Sequence, residues 1–163
     1  MKPGLAILQN MYVRDPERLK RSFARADSEG YGEELRRRTI AYSLFAGCLT
    51  GRRLKAAFGE DLLAQIVWEE STREIAGDPK TIFPPDLAHL EKIIREYQPK
   101  AILAFGKIAG CAVTEVLANG NLGPTWLGAE TRPTLITAPH PAARQPEVPT
   151  LLRQAAEKFR KCL

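Results

Sequence analysis

The chain has 163 residues, 44% hydrophobic and 26% charged, with a formal net charge of +5, the balance of an ordinary soluble globular protein. No apolar run approaches the roughly 18 residues of a membrane span, and the basic excess suits a nucleic-acid partner. Three scattered cysteines, Cys48, Cys111 and Cys162, form no CxxC pair, which argues against a disulfide framework and against a Cys-ligated metal or iron–sulfur site. A single domain over residues 1–163 is expected, monomeric and cytoplasmic, without signal peptide, membrane association, metal or cofactor.

Residues 5–8 form an apolar run after Pro3-Gly4 and read as a buried strand, with residues 9–15 as the loop leaving it. Asp15-Pro16-Glu17 opens a basic helix over about 16–26, with Asp as N-cap and Pro at the first helical position. Gly30-Tyr31-Gly32 interrupts, and a second helix is expected over 33–46, with Leu35, Ile40 and Leu44 inward. Gly47 ends it, and Thr50 can cap a helix over 51–58 that carries Arg52 and Arg53 in its first turn. Arginines there oppose the helix dipole, so either an anion lies near or both are simply solvated. A strand is expected over 64–68, ending at Glu69-Glu70-Ser71, and residues 71–85 read as a loop rich in Gly, Pro and charge. Residues 86–97 form the clearest amphipathic helix, with Leu87, Leu90, Ile93, Ile94 and Tyr97 on one face. A third strand over 101–105 turns at Gly106 into a helix over 107–117, followed by a turn-rich connection at 119–124. A fourth strand spans 134–137, and a last helix spans 150–162.

Short apolar strands alternating with helices, with no tight hairpin signal, predict a parallel sheet covered on both faces. In such folds ligands sit beyond the C-terminal strand ends. Residues 9–12, 69–71, 106–107 and 138–144 should therefore converge. Within the last of these, Pro139 and Pro141 hold His140 in a stiff, extended loop. A histidine there either makes one structural hydrogen bond or performs proton or anion chemistry.

The order of these pieces resembles the uracil-DNA glycosylase superfamily. Pro84 to Gly110 resembles that family's helix, Pro-Lys turn, strand and Gly-Lys/Arg-x-Ala step. His140-Pro141-Ala142 resembles its His-Pro-Ser/Ala motif. Phe45-Ala46-Gly47 with Thr50-Gly51-Arg52-Arg53-Leu54 resembles its phenylalanine platform and Ser-Gly-Arg-x-Leu. The first motif differs: Leu8-Gln9-Asn10-Met11-Tyr12 stands where members carry patterns such as Gly-Gln-Asp-Pro-Tyr. Where many members end the second strand with an Asn that reads the uracil edge, this chain has Glu69, Glu70 and Ser71. An ionised Glu accepts but cannot donate. The implied substrate is therefore a damaged or deaminated base rather than uracil in particular.

The resemblance implies a three-layer αβα sandwich with a central four-stranded parallel sheet, and a DNA glycosylase that hydrolyses the N-glycosidic bond of a base flipped out of DNA. His140 would donate to the leaving base and Asn10 would orient water. Gln9, Tyr12, Phe45, Glu70 and Ser71 would line the base pocket, and Arg52, Lys107 and Arg144 would contact phosphates. Each has a plainer reading. Asn10 can satisfy loop backbone, Phe45 can be a core aromatic, and the glutamates and basic residues can be solvated. A nucleic-acid-binding module on the same scaffold, with catalysis weakened or lost, is the alternative.

Overall fold

The computed structural model describes residues 4–119 and 132–163. The connection expected at 119–124 lies, from residue 120 on, outside them. The described chain is α/β, with a sheet of four parallel strands in the order β3-β1-β5-β6 and helices on both faces.

Strand β1 (Gly4–Leu8) is buried along its whole length, as a central strand covered on both faces must be. It is followed by a two-residue strand β2 (Met11–Tyr12) and by helix α1 (Pro16–Ser28), whose cap is Asp15, accepting from the Arg18 N–H at 3.0 Å. Helices α2 (Gly32–Phe45), α3 (Leu49–Phe58) and α4 (Glu60–Leu63) lead to β3 (Ile66–Glu70). Strand β4 (Ile75–Ala76) pairs in parallel with β2. Helix α5 (Leu87–Tyr97), β5 (Ala101–Phe105), α6 (Lys107–Asn119), β6 (Thr134–Ala138) and α7 (Val148–Cys162) complete the order.

Alternation along β1 divides the core. Ala6 and Leu8 join Trp68, Leu103, Phe105 and the inward residues of α2, α3, α4 and α7 on one face. Leu5 and Ile7 join Ile102, Ala104 and the inward residues of α5 and α6 on the other. The chain leaves β1 towards β3 on the first face and returns from β3 to β5 on the second, which is the arrangement that right-handed crossovers require. The path turns one way after β1 and the other way after β5, so the crevice between these strands opens at their C-terminal ends.

Three expectations shift. The strand expected over 64–68 runs from Ile66 to Glu70, because Leu62 and Leu63 belong to the short helix α4. Both glutamates are consequently inside the strand and buried, at 4% and 9% exposure, instead of in a loop. Helix α3 begins at Leu49, and its cap is the Cys48 Sγ, which accepts from the Gly51 N–H, rather than Thr50. The segment 71–85, read as an irregular loop, contains β4 and a tight turn in which Asp78 accepts from the Lys80 and Thr81 N–H groups at 2.7 and 3.0 Å. Gly51 is where α2 and α3 meet most closely: a Cβ there would stand 1.8 Å from the Leu44 carbonyl oxygen.

Candidate functional site

A cavity of about 580 Å³ opens at the C-terminal ends of β1 and β3, within the range of small-ligand sites. Gln9, Asn10, Tyr12, Glu70 and His140 all line it. Its remaining walls come from the α2–α3 junction, including Ser43, Leu44 and Leu49, and from the Asp78 turn. Five of the candidate pocket and catalytic residues are thus neighbours of one space, although up to 131 positions separate them in the chain.

His140 is half-buried, and burial holds its imidazole below the ordinary histidine range. Its Nδ1 accepts the Ala142 N–H at 3.2 Å. A ring nitrogen that accepts carries no proton, so the neutral ring bears its proton on Nε2 and offers one donor there. The loop is fixed from outside by Arg53, whose Nη1 donates to the carbonyls of Pro141 and Ala143 at 2.8 and 2.6 Å. The Gly106 N–H donates to the Ala138 carbonyl at 2.8 Å, and Gly106 itself sits at φ +88, 3.6 Å from the His140 Cβ when given a Cβ of its own. A side chain there would be strained beside the histidine. In the sequence Arg53 stands as one of two dipole-opposing arginines, within the stretch that resembles Ser-Gly-Arg-x-Leu; its partners lie 88 and 90 positions away, and no local signal marks them.

Asn10 clasps the turn that closes the cavity. Its amide nitrogen donates to the carbonyls of Met11 and Thr81, each at 3.3 Å, and its Oδ1 accepts the Phe83 N–H at 3.2 Å. One lone pair on Oδ1 remains for a further donor. Ser71 is fully buried and lies outside the cavity lining; its Oγ donates to the Gln9 carbonyl at 2.5 Å, tying the ends of β1 and β3 together. Tyr12 is exposed at the rim.

Phe45 stands apart from the cavity. Its ring packs edge-on against Trp68 at 5.5 Å between centroids, with the Lys55 ammonium over its face at 6.0 Å. The apolar wall is supplied by Leu44 and Leu49 instead. The three candidate phosphate ligands are all exposed, and none of them is a lining residue of the cavity. Arg52 donates to the Gly47 carbonyl at 2.9 Å, Lys107 begins α6 beside a separate groove of about 840 Å³, and Arg144 follows the His140 loop.

The two glutamates at the end of β3 differ sharply. Burial raises the Glu69 carboxyl, opposed by Arg37, whose Nε donates to it at 3.1 Å; the Tyr97 hydroxyl lies 3.4 Å away. Glu70 has no such partner: its Oε2 is sealed from solvent without a hydrogen bond. Burial first, and then the neighbouring Glu69 charge, push its pKa up to about 8. At neutral pH Glu70 is therefore largely a carboxylic acid, with one O–H to donate and one C=O to accept. Among the described residues no three His, Cys, Asp or Glu side chains are grouped to hold a metal ion, and no helix is long and apolar enough to cross a membrane.

Family models, curated proteins and solved structures offer no match to this chain, so its site is read from its own geometry.

Proposed function

We propose that the protein is a uracil-DNA glycosylase-like enzyme that hydrolyses the N-glycosidic bond of a damaged or deaminated base flipped out of DNA. The observation that carries this reading is the meeting of His140, Asn10, Gln9, Tyr12 and Glu70 around one cavity at the C-terminal strand ends. The parallel sheet flanked by helices supports it, as does the order of the motifs along the chain.

In the reaction the C1′–N bond breaks and its electron pair stays on the base. Water's oxygen bonds to C1′ and its extra proton passes to solvent. The charge that grows on the base is stabilised by a donor that is already aimed and shielded from water. The Nε2–H of His140 fits that role, since burial keeps the ring uncharged and Ala142 fixes its tautomer. Arg53 keeps the loop in place. Asn10 contributes in two ways: it closes the cavity through the Asp78 turn, and its remaining lone pair can orient the attacking water. DNA would be held by exposed basic side chains, Arg144 and Lys107 among them, which fits the net charge of +5.

One observation favours the alternative of a binding module with weakened catalysis. Among the described residues no ionised carboxylate of the cavity is free to act as a base, because Glu70 is protonated and Asp78 already accepts from Thr81 Oγ at 2.8 Å. Oligonucleotides containing uracil, hypoxanthine or xanthine separate the two readings. Abasic product with the wild-type protein, lost in His140→Ala, supports the enzyme. Salt-sensitive DNA binding without product from any of the three leaves the binding module.

A further inference from the structure

Glu70 is the one side chain of the site whose chemistry is left open. It closes β3 at 9% exposure, lines the cavity with His140 and Asn10, and leaves Oε2 buried without a partner. Orphaned buried oxygens of this kind are rare and costly; a turn of the carboxyl that brings Oε2 from its sealed position to the cavity lets a ligand group satisfy it, with a corresponding gain.

The charges around Glu70 are otherwise engaged. On its own strand, Glu69 is paired with Arg37. Across the cavity, Asp78 is taken up by its turn and His140 is neutral. Glu70 also lines a second, small space of about 30 Å³, shared with Glu33, Arg36, Arg73, Glu74 and His89. There the Arg36 guanidinium is held by both Asp27 oxygens at 2.6 Å, and Arg73 is held by Glu33 and by Nδ1 of His89. Among the described residues no cation is paired with Glu70 to neutralise it when ionised.

We infer that Glu70 is the specificity-determining residue of the cavity: a neutral carboxylic acid that pairs with the lactam edge of a heterocyclic base, its O–H donating to the ring carbonyl and its C=O accepting the adjacent ring N–H. This rests on the reading of the cavity as a base pocket and deepens it. An ionised glutamate presents two acceptors and repels a carbonyl, whereas the acid presents donor and acceptor side by side, as a primary amide does. The second donor of the cavity, Nε2–H of His140, asks for another oxygen, so a ring with two carbonyl groups flanking an N–H satisfies both walls. Recognition is consequently lost as Glu70 ionises. Glutamine, which keeps the shape and carries donor and acceptor without a titratable proton, preserves recognition across the pH range in which Glu70 ionises.

Two measurements test this on the whole chain. In a protein carrying 13C-labelled glutamate side chains, the Glu70 resonance, identified by its loss in Glu70→Gln, is followed against pH. Free uracil and free cytosine are then titrated into wild type, Glu70→Gln and Glu70→Ala at about pH 6.5 and about pH 8.8, with binding read from backbone amide shifts at Gln9, Asn10 and His140. The expected results are a Glu70 transition above pH 7, uracil preferred to cytosine, a several-fold weaker wild-type affinity at the higher pH, and an unchanged affinity in Glu70→Gln. A Glu70 transition below about pH 6 overturns the inference. So does Glu70→Gln failing as completely as Glu70→Ala, or an absence of uracil-induced shifts at either pH. Free-base binding requires no bond cleavage. The expected binding pattern without excision from any oligonucleotide keeps the role of Glu70 and removes the hydrolase; excision with none of this pattern does the reverse.

Discussion

Glu69 and Glu70 are adjacent on one buried strand, yet strand alternation sends them to opposite faces of the sheet and into opposite electrostatic settings. Glu69 meets Arg37, which also bonds Glu96 at 2.9 Å and lies over the Tyr97 ring at 4.8 Å. Its burial is offset in part by a charge network that wraps the edge of the sheet. Glu70 borders the cavity and its neighbour's negative charge, and its Oε2 has no hydrogen-bond partner. Burial alone does not decide what a carboxyl does. A compensated carboxylate is a strut, whereas an uncompensated one stays protonated and keeps its hydrogen-bonding capacity for something that arrives later.

The comparison can be broken most forcefully on its compensated side. Arg37→Ala leaves the Glu69 carboxylate buried and unpaired, and a loss of about 3 kcal/mol is expected in urea unfolding at neutral pH. Arg36→Ala, on the next residue, removes a partly exposed pair with Asp27 and should weaken the fold by about 1 kcal/mol. Equal losses in the two variants would deny Arg37 its special place.

On the uncompensated side the sign is fixed by the direction of the shift. The folded state holds the Glu70 proton up to about pH 8, whereas an unfolded glutamate loses it near 4.5. The unfolded chain therefore binds fewer protons between those values, and wild-type stability falls as pH rises through that window. Glu70→Gln should match wild type near pH 4.5 and exceed it by on the order of 2 kcal/mol near pH 9, allowing for water reaching the ionised group through the cavity. Parallel stability profiles for the two proteins would place Glu70 among ordinary solvated carboxylates.

Much of the scaffold could be read from the chain. The strands at 5–8 and 101–105, the helix capped by Asp15 and the amphipathic helix expected over 86–97 follow from apolar runs, spacing and, for the first helix, cap chemistry, and each lies within about two residues of its expected place. The end of β3 was harder to place. A fully buried parallel strand does not alternate in polarity, so the run from Leu62 to Trp68 gives no register, and two consecutive glutamates read as a loop when both are taken to be charged. Their burial becomes intelligible only once Arg37, 32 positions away, is paired with one and the other is allowed to stay protonated. The convergence of residues 9–12, 70 and 140 was legible because parallel topology dictates it. The supports of the site were not. The Asn10 clasp spans 71 to 73 positions, and the β2–β4 pair is two residues long.

Two smaller effects extend the comparison to the cavity's other wall. Arg53→Ala removes two hydrogen bonds to the His140 loop, and about 1–2 kcal/mol of stability should go with them. Excision should fall further than in Arg52→Ala, whose guanidinium bonds only the Gly47 carbonyl. His140→Asn should change stability least, by under about 1 kcal/mol, while removing most of the excision. A variant as unstable as Arg37→Ala would mark the histidine as a strut instead.

The most direct measurement is the rate of abasic-site formation from uracil-, hypoxanthine- and xanthine-containing oligonucleotides, followed against pH for wild type and Glu70→Gln. The account predicts product from at least one of these substrates, with a wild-type rate that declines above about pH 8 and a Glu70→Gln rate that does not. No product from any substrate, or a decline of the same shape in both proteins, would contradict it.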